Sequence, residues 1–386
     1  MGEGGESITH DEIRHAVRDL CSRFPGEYWR ELDRRAGYPE EFVGALTNAG
    51  WLAALIPTEY GGAGLQLPEA CLILEEINHS GASSAACHAQ MYVMGTLLRH
   101  GSEEQKRRHL PAIASGEVRL QAFGVTEPDA GLDTAAIRTR ARRQGDSYRI
   151  TGNKIWISRA QQSDLMLLLA RTSDPDPGRR WFGLSTFLVD LRAAGDRVRI
   201  VPIETMLNHN TNEVFIDDLE VPAENLIGEE GMGFRYILDG MNAERILIAA
   251  ECIGDARWFL EHAADHAGKR VVFGRPIGQN QGVAFPIARV HAHTQAADLM
   301  RRHAAELYAQ GESCGAEANM AKLLCADASR EAANVCIDTY GGVGFAREYD
   351  VERKFRETRL FQVAPVSTNM VLAYIAQNVL GLPRSY

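Results

Sequence analysis

This 386-residue sequence is poor in the features that announce many common chemistries. It has no CxxC pair. Its seven cysteines, Cys21, Cys71, Cys87, Cys252, Cys314, Cys325 and Cys336, are scattered and odd in number. That favours free thiols in a reducing compartment over a disulfide framework. His291 and His293 stand two apart in "HAHT", on different sides of a helix, and cannot chelate one ion together, so no metal is expected. The glycines of "GGVGF" and "GMGF" lack the G-x-G-x-x-G spacing of a nicotinamide-binding turn. Those of "YGGAGL" lack the Lys-Ser or Lys-Thr of a phosphate loop, and no GxSxG elbow occurs. Excess positive charge is also missing: the formal net charge is −10, which argues against a nucleic-acid partner. The basic clusters "EEQKRRHL" and "RTRARRQ" read as solvated faces, either of which could receive a phosphate. No apolar run approaches a membrane span. The opening "MGEGGESITHDEIR" has no apolar core and no Arg-rich transit character, and Glu6 breaks the myristoylation pattern. The expectation is a cytoplasmic protein with no membrane partner.

What is present is an ordinary folded composition, 45% hydrophobic and 24% charged, at a length suited to two or three domains. Residues 1–117 read as helical. "PEEFVGALTNAGWLAAL" spaces Phe42, Val43, Leu46, Ala49 and Ala53 three and four apart, and "PEACLILEEINHS" behaves similarly, with "YGGAGL" as the turn between them. Residues 118–222 change to short β-rich runs, "LQAFGVTE", "SYRITGNKIWIS", "LMLLLART", "LSTFLVD", "RVRIVPI" and "NEVFIDDLEVP", divided by turn signals. Residues 223–386 return to the helical period. "AERILIAAECIGDARWFLEHAADHAGK" and "GAEANMAKLLCADASREAANVCIDTYGG" form long helices, the second ending at Gly341 in a C-cap position. The fold class is therefore mainly α with an inserted β domain.

Two stretches attract chemical interest. In "KIWIS" strand alternation places Ile155 and Ile157 on one face and Trp156 and Ser158 on the other. An aromatic plane beside a hydroxyl could stack on a planar ring and bond to its polar edge, although taken alone the pair reads as a half-buried strand edge. "RLFQVAPVSTN" carries one charge, Arg359, followed by ten uncharged residues, with Pro365 near its middle donating no backbone N–H.

Together, "YGGAGL", "FGVTEPDAGLD", "GNKIWIS", "AERILIAA", "KRVVFGRPIGQNQ", "DTYGGVGF" and "RLFQVAPVSTN" resemble the acyl-CoA dehydrogenase family, in order and over nearly the whole chain. The resemblance implies an N-terminal helical domain, a central β-barrel-like domain and a C-terminal four-helix bundle. It implies bound FAD and a homotetramer, or a homodimer. It implies that Phe123, Val125 and Thr126 line the flavin ring, and that Trp156 and Ser158, the latter where many members have Thr, cover its other side. Arg270, Phe273 and Gln281 match positions that hold the FAD of a neighbouring subunit, and Gly341 and Gly342 approach its adenosine end. Asp338 stands where many members have Gln. Ser367, Thr368 and Asn369 match a hydroxyl-rich stretch beside the pyrophosphate. An uncharged segment after Arg359 suits packing against flavin and acyl chain, where an unpaired charge is costly.

The family's reaction needs a carboxylate to remove the proton next to a thioester carbonyl while a hydride leaves the neighbouring carbon for flavin N5. Many members place that Glu where this chain has Pro365. A second placement, in isovaleryl- and long-chain-type members, matches Glu244 in "NAERILIAA". Taken alone, Glu244 reads as an acid in the first turn of a helix capped by Asn242. The ungapped register to Arg270 and Gln281 favours the catalytic reading. Arg245, Asn242, Leu132, Pro365 and Val366 then fall on the substrate side. Leu132 replaces a Ser that contacts the CoA portion in many members, and Pro365 removes the backbone N–H that donates to the thioester oxygen. Another N–H could replace it, the flavin's ribityl hydroxyl could act alone, or the substrate could sit differently. The expected activity is α,β-dehydrogenation of an acyl thioester, with an electron-transfer flavoprotein as acceptor. CoA is the expected carrier, since a net negative charge disfavours an acidic carrier protein. The alternatives are a flavin oxidase or monooxygenase, whose monooxygenase branch generally lacks such a Glu, and a non-catalytic flavin-binding protein.

Overall fold

The structure is a computed structural model that describes residues 8–176 and 178–384. In chain order its elements begin with helices α1 His10–Ser22, α2 Gly26–Arg34, α3 Glu40–Asn48, α4 Leu67–His79, α5 Ala85–His100 and α6 Glu103–Ser115. Strands β1 Leu120–Gly124, β2 Arg140–Gln144, β3 Ser147–Ser158, β4 Leu165–Arg171, β5 Leu184–Asp190, β6 Val198–Pro202, β7 Thr211–Pro222 and β8 Leu226–Ile227 follow. Then come α7 Gly233–Lys269, the small hairpin β9 Val271–Val272 and β10 Arg275–Pro276, α8 Gln281–Ala309, α9 Gly315–Tyr340, α10 Val351–Thr358 and α11 Thr368–Tyr374. The helical, β, helical order matches the sequence reading. The chain divides into two compact units, one of residues 8–34, 66–84 and 242–384, the other of residues 35–65 and 85–241.

The second unit is built on an eight-stranded mixed sheet in the order β6-β7-β3-β2-β4-β5-β8, with β1 added in parallel to β4. Every residue of β4, "LMLLLAR", is buried, which explains a run with no polar alternation: both of its faces are covered. Met166, Leu168 and Ala170 point into a core with Tyr148, Ile150, Phe187 and Val214. Leu165 and Leu167 point the other way, onto Val93, Leu97 and Ile113 of α5 and α6. "RARRQ", expected as a solvated basic face, is β2, pairing antiparallel with β3 across a turn at Gly145. The helical pattern over "PEEFVGALTNAGWLAAL" stops sooner than its periodicity suggests. Gly50 takes φ 79°, which a side chain resists, and only a single 3-10 turn, Trp51–Ala53, follows.

The first unit is a helical bundle. Helix α1 begins with a capping box between Thr9 and Glu12 and buries Ile13, Val17 and Leu20 at helical spacing. Helix α4 lies so close to α7 at Gly254 that an added Cβ would collide with the Glu75 carbonyl. A buried ion network ties these helices together. Glu75 of α4 accepts from Arg14 of α1 at 2.9 Å and from Arg301 of α8 at 2.8 Å, and also pairs with Arg257 of α7. Asp298 of α8 joins Arg257 at 3.0 Å. No helix among the described residues is long and apolar enough to cross a membrane.

Candidate active site

Three groups of candidate residues form, one in the sheet unit and two in the helical unit. In the sheet unit, β1 ends at Gly124 and the following "VTE" runs beside β3. The backbone N–H of Ile155 donates to the Thr126 carbonyl at 3.0 Å, bringing "FGVT" and "IWIS" side by side. The strand alternation expected for "KIWIS" does not survive here. A bulge shifts the register between Lys154 and Ile157, and Trp156 takes φ 62°. The extra residue breaks the pairing of Ile155 with Ile157 and turns the indole outward, 58% exposed. Phe123, Thr126 and Ser158 are half-buried, Val125 is buried, and Leu132 is exposed on the loop after β1.

Sequence reasoning missed what pins this corner. Lys154, wholly buried, donates from Nζ to the Val125 carbonyl and to Glu127 Oε1, both at 2.9 Å. Glu127 also accepts the backbone N–H groups of Arg138 at 2.6 Å and Thr139 at 2.9 Å. Burial lowers the Lys154 ammonium to about 8, against the pull of Glu127. For Glu127, burial alone would raise the carboxyl, but Lys154 and the two amides bring it below the usual range. A Lys inside β3 two residues before Trp156 and a Glu directly after Thr126 were the available signal, since opposite charges carried into a buried corner invite pairing.

In the helical unit, α7 starts at Gly233, so neither Asn242 nor Glu244 belongs to its first turn. The capping and helix-dipole account of Glu244 is thereby removed, because that effect fades beyond the first turn. Glu244 is only 6% exposed, and no described residue forms a hydrogen bond or ion pair with it. Burial pushes its carboxyl up to about 8, opposed by the charge of Arg245. Arg245 donates from Nη1 to Asn242 Oδ1 at 3.2 Å, while its Nε is buried with no hydrogen-bond partner among the described residues. Helices α9 and α11 close in on Asn242. A Cβ on Gly315 would lie 2.6 Å from Tyr374 Oη and 4.0 Å from Asn242 Nδ2.

The uncharged "VAPVS" segment between Gln362 and α11 is held from α9. Lys322, buried, donates from Nζ to the Val366 carbonyl at 2.8 Å, and Gln362 Nε2 donates to the Ala326 carbonyl at 2.9 Å. Burial lowers the Lys322 ammonium. A segment free of charge thus rests on a buried charge supplied by another helix. Pro365 and Val366 are half-buried, and the Ala364–Pro365 peptide is cis. Ser367 caps α11, accepting from the Met370 N–H at 3.4 Å; Thr368 is half-buried and Asn369 exposed.

The remaining candidates gather at the far end of α7. Phe273 sits fully exposed at the tip of the β9–β10 hairpin with φ 52°, and Arg270 before the hairpin and Gln281 after it are exposed too. His266 of α7 stacks on Tyr340 at the end of α9 with ring centroids 4.1 Å apart, which brings Asp338, Gly341 and Gly342, all exposed, to that same end. Along α7, Glu244 and Lys269 are separated by roughly 37 Å at 1.5 Å per residue.

Comparison with known proteins agrees with these parts. The N-terminal, middle and C-terminal domain profiles of acyl-CoA dehydrogenase match residues 7–117, 122–219 and 231–380. The chain is 35% identical over 384 residues to acyl-CoA dehydrogenase fadE12 of Mycobacterium bovis, covering 99% of this chain and 98% of that protein. The structure of glutaryl-coenzyme A dehydrogenase in complex with glutaryl-CoA superposes with a TM-score of 0.91 at 30% identity, over 100% of this chain and 98% of that one. A chain from the electron transferring flavoprotein structure of Acidaminococcus fermentans gives 0.90 at 28% identity, over 98% and 100%. With its three domains in order, this chain belongs to the acyl-CoA dehydrogenase family and is an FAD-dependent oxidoreductase acting on an acyl-CoA.

Proposed function

We propose that Glu244 is the base that takes the α-proton of the acyl-CoA, in the role that Pro365 cannot fill. The observation that carries this is a carboxyl buried in the helical unit without a partner and pushed up to about 8. Such an acid exchanges protons near neutral pH, as a general base should. A structural acid at this depth would be expected to hold a counter-ion, as Glu75 and Asp298 do. Asn242 and Arg245 border the acyl thioester, with Pro365 and Val366 as further contacts.

The residues present fit FAD. Trp156 and Phe273 are the only aromatics among the described non-glycine residues with positive φ, and both lie exposed. A strained backbone that turns a large ring into solvent costs about 1–3 kcal/mol and gains from something planar to cover it. Beside Trp156, the Thr126 and Ser158 hydroxyls and the Phe123 and Val125 side chains supply polar-edge and apolar contacts. Bound FAD would supply the hydride acceptor. Ser367, Thr368 and Asn369 would lie along its pyrophosphate. Arg270, Phe273, Gln281, Asp338, Gly341 and Gly342 would contact a second FAD, because they lie at the opposite end of α7 from Glu244. That requires another copy of the chain, and a homotetramer is the assembly we favour. An electron-transfer flavoprotein is the proposed acceptor.

The test is anaerobic bleaching of the bound flavin by a panel of straight- and branched-chain acyl-CoAs. Glu244→Gln should keep its FAD and lose about 10²–10⁴-fold in the reduction rate. Bleaching at the wild-type rate would refute the assignment, and reduction that needs an added reductase would favour a monooxygenase.

A further inference from the structure

As the α-proton leaves an acyl thioester, negative charge builds on the carbonyl oxygen, and a donor aimed at that oxygen lowers the barrier. Residue 365 brings no N–H to this task. Lys322 is engaged, its Nζ bonded to the Val366 carbonyl at 2.8 Å. Tyr374 lies near, its Oη 2.6 Å from where a Cβ on Gly315 would sit. Two buried guanidinium donors of the helical unit have no partner among the described residues, Arg330 Nε on α9 and Arg245 Nε, and of these Arg245 stands next to Glu244. Arg245 Nε is buried and bonds to nothing described, while Nη1 of the same guanidinium is fixed by Asn242 Oδ1 at 3.2 Å. Native structures rarely keep a buried donor unsatisfied, so this one marks a place where a ligand's acceptor belongs.

We propose that Arg245 donates through Nε–H to the thioester carbonyl oxygen, replacing the backbone donor that Pro365 removes, and that Asn242 is the positioning residue that orients it. The inference rests on reading Glu244 as the base. The two groups are consecutive on α7 and within electrostatic reach of each other, so one can receive the proton while the other meets the charge left behind. Arg245 is also within reach of Lys322, which fixes the Val366 carbonyl next to Pro365. The guanidinium therefore lies within electrostatic reach of the cation that holds the segment where the lost N–H would have been. A planar, permanently charged donor suits an enolate-like oxygen better than a neutral amide does.

The experiment uses FAD-loaded enzyme and a thioester that cannot be desaturated, [1-13C]3-thiaoctanoyl-CoA, read by infrared difference spectroscopy. In the wild type the carbonyl stretch moves to lower wavenumber on binding. In Arg245→Met more than half of that shift disappears while the analogue still binds, and Arg245→Lys restores part of it. An equal shift in wild type and R245M, or no shift in the wild type, overturns the proposal. Turnover of octanoyl-CoA supplies the kinetic arm. On the alkaline plateau, where Glu244 is ionised in every variant, R245M loses about 10²-fold in kcat. An unchanged plateau kcat overturns the donor role, since an effect acting only through the base would vanish there. Glu244→Gln separates the two readings. If it turns over normally, the base assignment fails while the carbonyl shift still reports on Arg245.

Discussion

Replacing Glu244 with Gln tests the buried carboxyl through stability as well as through rate. The carboxyl stands at about 8 in the folded protein against an ordinary value of 4.5, because burial penalises its charge. Between those two values the folded protein keeps a proton that the unfolded chain has released. Stability therefore falls as pH rises through that window, by about 1.4 kcal/mol per unit and roughly 4–5 kcal/mol in all. Below the window both states hold the proton; above it both have lost it and the penalty is complete. Gln cannot titrate, so E244Q lacks this term, and its own packing cost is the same at every pH. Urea denaturation of the FAD-loaded wild type and E244Q, from pH 5 to pH 9, should give a difference that grows in favour of E244Q up to about pH 8 and then flattens. Every other titrating group cancels in that difference. In the wild type, kcat/KM should rise about tenfold per pH unit to the same break, since the free enzyme's base must be ionised. Parallel stability curves for the two proteins would refute the argument from burial.

Lys154→Met should cost about 3–5 kcal/mol in denaturation experiments, because it strands the buried Glu127 without its 2.9 Å partner; a loss under 1 kcal/mol would show that the pair is wet. Its loss should also loosen the Thr126–Ile155 junction, read as weaker FAD retention on gel filtration. Phe273→Ala, at a fully exposed position, should leave the unfolding of the isolated chain unchanged within about 0.5 kcal/mol while lowering FAD content; full FAD retention would count against a role for the hairpin tip. Lys322→Met removes the hold on the Val366 carbonyl, so KM for acyl-CoA should rise while the break at pH 8 stays in place. A moved break with unchanged KM would contradict the positioning role.

The order of helices and strands was legible because hydrophobic period changes along the chain, from three-and-four spacing to short β runs and back. Where single residues override that period, the reading failed. At Trp156 a bulge inserts one residue into β3, and no alternation rule anticipates a tryptophan at φ 62°. At Gly50 the chain turns left-handed and a helical pattern ends early. The site shows the same division. Glu244 and Pro365 could be set against each other from motifs, since one has a carboxylate and the other has neither carboxylate nor N–H. What holds them is tertiary and silent in sequence: the start of α7 eleven residues before Glu244, which denies it the first turn, and Lys322 of α9 beneath the uncharged segment. That second arrangement also explains why the segment can dispense with charges of its own. Its Val366 carbonyl is satisfied by a cation carried on a long helix, so the side chains around it can stay small and uncharged, and the electrostatic work passes to α9.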